Sequence, residues 1–237
     1  MCGRLGLYAT PQAVAERFGV AVEVLPEFAP HYNIAPSAET LAIGAGPHGR
    51  TGRALRWGLV PRSAQSPRQA RNLARRESLR RYWRTPLEAH RCLVVASGFY
   101  EWQASPAGAG GESSRPKTPF WIARRDARPL GLAALYSTWH PPDGGASIVG
   151  FAILTRPSRG PCKPIHDRMP IELPPESFDA WLDPELTELD ALCRLVDEPS
   201  PAEALTAHAV STAVNAARNE GPQLIEPADG GCVEGLV

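Results

Sequence analysis

The sequence predicts an α+β fold: a mostly antiparallel sheet or distorted β-barrel with several flanking helices. Three observations carry this. Short β-rich runs greatly outnumber helical ones; they never alternate with helices in the strand–helix–strand rhythm of a parallel sheet; and 25 prolines with 21 glycines supply many turns. At 237 residues the chain can bury a large core. One domain over residues 1–237 is the expectation, with a flexible loop near 104–118 and a less ordered tail after about 227.

Taken in order, residues 3–8 read as a strand. Thr10 is a helix N-cap with Pro11 at the first helical position, so a helix should run over 11–18 and stop at Gly19. Residues 26–39 read as an ordered, proline-rich loop leading into a strand at 39–43. Alternation over 53–59 predicts another strand, followed by a polar loop to about 71. Residues 74–83 are helix-compatible, with arginines on the polar face. Strands at 92–96 and 99–103 flank a turn signal at Ser97-Gly98. After the Gly- and Ser-rich connection come strands at 119–123, 130–136 and 148–154, helices at 176–182 and 185–196, and a late strand at 205–210.

Formal net charge is zero, yet its placement is uneven: residues 50–91 hold twelve arginines against Glu77 and Glu88, whereas 172–203 hold ten acids against Arg194. The basic segment suits phosphate binding, because guanidinium stays charged and forms forked hydrogen bonds. Pairing with the acidic half of the same chain is the competing reading. No apolar run approaches a membrane span, and no charged-then-apolar leader opens the chain. A cytoplasmic monomer is expected. Five scattered cysteines show no zinc-type spacing, so no metal or cofactor is expected. Phosphate-cradling glycine motifs, a Gly-x-Ser-x-Gly elbow and a His-Glu-x-x-His pair are absent from the sequence.

The chemistry centres on Met1-Cys2-Gly3-Arg4. Methionine removal would make Cys2 the N-terminus, carrying a thiol with pKa near 8.5 beside an amine near 8. An aldehyde meeting this pair can form an imine with the amine, and the thiol can close it into a thiazolidine. Four further motifs follow in order: Tyr32-Asn33-Ile34-Ala35-Pro36, Trp57-Gly58-Leu59-Val60-Pro61, Gly98-Phe99-Tyr100-Glu101-Trp102 and Ile165-His166-Asp167-Arg168-Met169-Pro170.

Together with Val210-Ser211-Thr212-Ala213-Val214-Asn215 and Gly221-Pro222-Gln223-Leu224-Ile225, these motifs resemble the SRAP (SOS response associated peptidase) family over residues 2–227. The resemblance implies covalent shielding of abasic sites in single-stranded DNA, a lyase-like crosslinking activity, with the peptidase label describing self-processing at Cys2. It implies Cys2 as nucleophile, Glu101 as proton shuttle, His166 in ring opening, and Asn33 orienting the amine or sugar. For DNA it implies Arg4, Arg75 and Arg168 on phosphates, with Ile34 and Pro36 against bases. One departure stands out: Leu73 occupies the place of an expected asparagine, with Asn72, one residue earlier, the candidate to take its place at the DNA if the backbone shifts. A second is Arg62-Ser63-Ala64, where a tryptophan is usual. Two alternatives stay open: a noncatalytic single-strand binding module, and an N-terminal cysteine amidohydrolase using the same thiol and amine.

Overall fold

The computed structural model describes residues 3–104 and 117–228. The Cys2 site, most of the expected loop over 104–118, and the tail beyond 228 lie outside the described residues. The chain opens with strand β1 (Arg4–Leu7) and helix α1 (Pro11–Phe18), then β2 (His31–Ile34), β3 (Glu39–Gly46) and β4 (Gly49–Trp57). A short strand β5 (Leu73–Arg75) precedes helices α2 (Leu79–Tyr82) and α3 (Arg84–Ala89). Strands β6 (Arg91–Ala96), β7 (Gly98–Gln103), β8 (Thr118–Arg124), β9 (Leu130–Trp139), β10 (Ile148–Pro157) and β11 (Arg168–Pro170) follow. Helices α4 (Phe178–Leu182) and α5 (Leu189–Asp197) and strand β12 (Leu205–Ala209) complete the regular elements.

The strands form two mostly antiparallel sheets, in the orders β12-β8-β7-β1-β2 and β11-β10-β4-β3-β6-β9. Additional pairing between β9 and β10 makes the second sheet ring-like. It is not a barrel, which settles the choice left by the sequence. The parallel contacts are β10 with β4 and with β5. Gly150 makes the first of these possible, since a Cβ there would meet the Gly58 carbonyl oxygen at 2.1 Å.

Local chemistry explains α1. Thr10 accepts from the Ala13 N–H at 3.2 Å, Pro11 starts the helix, and Gly19 ends it at φ 60. The main core is built from inward residues of both sheets, including Leu5, Ile34, Phe99, Leu132 and Phe151, against α1, α4 and α5.

Three elements differ from expectation. Residues 74–83 are not one helix: β5 joins the ring-like sheet beside β10, and a 3₁₀ turn over Arg76–Ser78 leads into α2. The proline-rich loop contains β2, which pairs with β1. Ser97-Gly98 does not turn a hairpin, because β6 and β7 lie in different sheets. At this corner the Ser97 hydroxyl accepts the Tyr8 and Ala9 N–H groups, and a Cβ on Gly98 would strike Trp121 at 2.3 Å.

Candidate active site

Strand alternation splits the central motif of β7 between two faces. Phe99 joins the main core, so Glu101 points the same way. Tyr100 packs in a separate cluster with Trp121, Val210 and Val214, against which Trp102 also lies. Strand β1 runs antiparallel beside β7 with Arg4 opposite Tyr100 and Leu5 opposite Phe99. Continuing that ladder by one residue sets Gly3 beside Glu101.

Glu101 is 2% exposed. Burial pushes its carboxyl up to about 7; the Asp167 carboxylate acts in the same direction, while the Trp102 backbone N–H opposes it. A group that is half ionised near neutral pH can take and return a proton. Cys162 lies close enough to feel the Glu101 charge, and burial is the main cause that pushes its thiol up to about 12. Cys92 is likewise pushed up to about 12. Such thiols are inert at neutral pH.

His166 stands on the turn that follows Gly160–Cys162, fixed by its own N–H to the Cys162 carbonyl at 3.1 Å. Gln103, at the end of β7, donates to the Pro164 carbonyl at 2.9 Å and so ties Glu101's strand to this turn. The His166 Nδ1 accepts the Arg168 N–H at 3.0 Å and lies 2.7 Å from an Asp167 oxygen. Burial is the largest cause lowering the ring's pKa, with Asp167 pulling the other way. The backbone bond calls for a bare Nδ1 and the Asp167 contact for a protonated one, so the two contacts belong to different protonation states of the ring.

Asn33 belongs to a different construction. It is 1% exposed, and its Oδ1 accepts from Arg4 at 2.5 Å. Its amide donates to the carbonyls of Ala216 at 3.0 Å and Asn219 at 2.9 Å. Arg4 also donates to the Val214 carbonyl at 2.8 Å and lies 6.0 Å from the Trp102 ring centre. Trp102 in turn donates to Asn215 at 2.7 Å. The segment 211–219 is thereby strapped across β1, β2 and β7. No periodic signal in the sequence marks this strap; only its Val210-to-Asn215 motif does.

The remaining expected contacts are unevenly presented. Arg168 is buried and forks onto Glu77 at 2.7 and 3.0 Å, with a further bond to the Thr155 carbonyl at 2.7 Å; a phosphate reaching it must displace Glu77. Ile34 packs into the core and presents no wedge to solvent, while Pro36 is half-buried. Arg75 is exposed.

The basic and acidic segments do pair in part, through Arg50–Asp179, Arg76–Asp197 and Arg80–Asp190. Arg91 is instead buried on the carbonyls of Leu87, Glu88 and Trp181. Arg62, Arg68, Arg71 and Arg75 are exposed and form no salt bridge among the described residues. Pairing with the acidic half thus accounts for some of these arginines and not for others.

Leu73 sits on β5 opposite Ile153. Because β5 is a strand, a one-residue slip turns a side chain to the opposite face, not by the 100° of a helix. Asn72 uses its backbone carbonyl for the Trp57 indole at 3.0 Å and the Ile153 N–H at 3.1 Å, so its backbone is held in register. Among the described residues, no group of three His, Cys, Asp or Glu side chains could hold a metal.

A two-sheet α+β protein that buries a near-neutral carboxyl beside its first strand is thus the class the geometry defines. Residues 1–217 match the family described as SOS response associated peptidase (SRAP). The abasic site processing protein YoqW of Bacillus subtilis (strain 168) is 35% identical over 233 residues, covering 95% of this chain and 99% of that protein. The abasic site processing protein YedK of Escherichia coli (strain K12) is 28% identical over 231 residues, covering 96% and 100%. A crystal structure of a protein from Bacteroides thetaiotaomicron shares the fold with a TM-score of 0.77 at 22% identity, covering 96% and 100% of the two chains. The chain belongs to the SRAP family.

Proposed function

We propose that this protein processes abasic sites in single-stranded DNA in the cytoplasm, capturing the open-chain aldehyde covalently through Cys2. The amine of Cys2 adds to the aldehyde carbon to give a carbinolamine, which loses water to form an imine. The thiol sulfur then adds to the imine carbon, and its proton passes to nitrogen, closing the thiazolidine. One water leaves overall. Glu101 moves protons onto and off the carbinolamine oxygen and the amine, while His166 donates a proton to the ring oxygen as the sugar opens. Asn33 and Arg4 act by holding β1, the strand that Cys2 leads into; Arg75 holds a flanking phosphate, as does Arg168 if it releases Glu77. Any peptidase activity is confined to exposing Cys2.

The observation that carries this reading is the buried Glu101 carboxyl at about 7, one strand over from Gly3. The abasic site processing proteins YoqW and YedK, similar over 95% and 96% of this chain, support it. Incubation with a single strand bearing one abasic site should give a heat-stable adduct on a denaturing gel, absent with an unmodified strand. Cys2→Ala should abolish it while leaving salt-sensitive binding; an undiminished adduct from that variant would refute the mechanism. Leu73 favours a second reading, noncovalent single-strand binding. Salt-sensitive binding without any adduct, converted to capture by Leu73→Asn, would establish it.

A further inference from the structure

Tyr82 is the most exposed large apolar side chain among the described residues, at 68%, against 40% for Val24 and 38% for Val149. A single exposed tyrosine is ordinary; its surroundings are not. The Arg81 guanidinium stands 5.1 Å from the ring centre, and Arg81 forms no salt bridge among the described residues. Its neighbours are committed, Arg80 to Asp190 and Arg84 to Glu88. The tip of α2 thus offers one open π-face beside one uncommitted cation.

The same run of chain connects this tip to exposed Arg75 at the end of β5. Seven residues of mostly helical backbone separate them, on the order of 10 Å at 1.5 Å per residue. A stacked strand advances about 3.4 Å per nucleotide, so about three nucleotides bridge that gap. On the other side of Arg75 in sequence, exposed Arg62, Arg68 and Arg71 form no salt bridge among the described residues. A single-stranded nucleic acid matches this combination, since its bases stack on aromatic rings irrespective of sequence and its phosphates seek free guanidinium groups.

We infer that Tyr82, with Arg81, is a stacking platform for a base of the strand flanking the captured site, about three nucleotides beyond the phosphate held at Arg75. The inference rests on the function proposed above. It gives the protein a footprint longer than the lesion and its immediate neighbours. Tyr82 touches no reacting atom, so its loss weakens hold on long strands without altering the capture step.

The test is equilibrium binding, at one fixed salt concentration, of abasic single strands extended by one to six nucleotides on either side. Tyr82→Ala should lose about fivefold or more in affinity on strands long enough to reach α2, within the ~1–3 kcal/mol that a stacked base contributes. It should match wild type on short strands, and Tyr82→Trp should restore long-strand affinity. Equal affinity of Tyr82→Ala and wild type at every length would overturn the platform while leaving capture intact. An equal loss at every length would overturn it too. Failure of the wild-type protein to bind any of these strands would remove both the platform and the proposed function.

Discussion

Glu101→Gln separates the energetic role of this carboxyl from its chemical one. The folded carboxyl titrates near 7 in place of its usual 4.5, with burial the largest cause. At 1.36 kcal/mol per pH unit this gap corresponds to about 3 kcal/mol. A folded pKa raised above the unfolded one favours the native state fully below about pH 4.5, and this stability is lost as pH rises through about 7. Wild-type protein should therefore lose up to ~3 kcal/mol between pH 5 and pH 8 from this group alone. Glutamine stays neutral throughout, so the variant should gain on wild type by about that amount over the same interval. Urea unfolding at pH 5, 6, 7 and 8 measures it, each midpoint compared between the two proteins. Adduct formation should move oppositely: the variant should be slower by about 10²-fold to 10⁴-fold, the usual contribution of a positioned acid or base. A stability difference that does not change with pH would refute the buried, near-neutral carboxyl. Capture at wild-type rate would refute its role as proton shuttle.

Other substitutions probe the scaffold and the binding surface. Glu172 joins Arg17 at 3.2 Å to Arg124 at 2.8 Å; Glu172→Gln should destabilise by about 3 kcal/mol, because the Arg17 guanidinium loses its carboxylate partner while Arg124 keeps only Asp126. A thermal or urea midpoint close to wild type would contradict that. Asn33→Ala should cost roughly 2–4 kcal/mol by removing one of Arg4's acceptors and the donor to the Ala216 and Asn219 carbonyls, and limited proteolysis should then cut first within residues 211–219. Arg75→Ala should weaken single-strand binding uniformly across sequences and lower the slope of log affinity against log salt by about 1.

Much of the fold was readable because local chemistry settles it. Thr10, Pro11 and Gly19 define α1 without reference to the rest of the chain, and the motif around Glu101 lies on a strand, as its aromatic and β-rich composition suggested. Elements fixed by distant partners were harder to read. The stretch from Ala74 has helical composition, but its first two residues are held in β5 opposite Leu154 and Thr155. β2 is short and proline-flanked; its pairing with β1 is what makes it a strand.

The candidate site shows the same division. Family-like motifs, not residue type alone, nominated Glu101 and His166, and the turn tied by Gln103 brings their surroundings together at the end of β7. Asn33 also holds the strap: its amide partners lie 183 and 186 residues along the chain, a relation no local pattern encodes. Burial of Arg168 against Glu77 was hidden for the same reason. Each carries charge in sequence; only the packing shows that their charges neutralise one another.

Capture by Cys2 is the central claim, and intact mass spectrometry tests it most directly. Purified protein is incubated with a short single strand carrying one abasic site, with and without borohydride, beside an unmodified strand. The account predicts a species lacking Met1 and heavier by the oligonucleotide less one water, seen only with the abasic strand and unchanged by borohydride, with the crosslinked peptide mapping to Cys2. A product that borohydride reduces would contradict thiazolidine closure, and an adduct mapping to any other residue would contradict Cys2 as the nucleophile. Complete removal of Met1 with no adduct at all would contradict covalent capture itself.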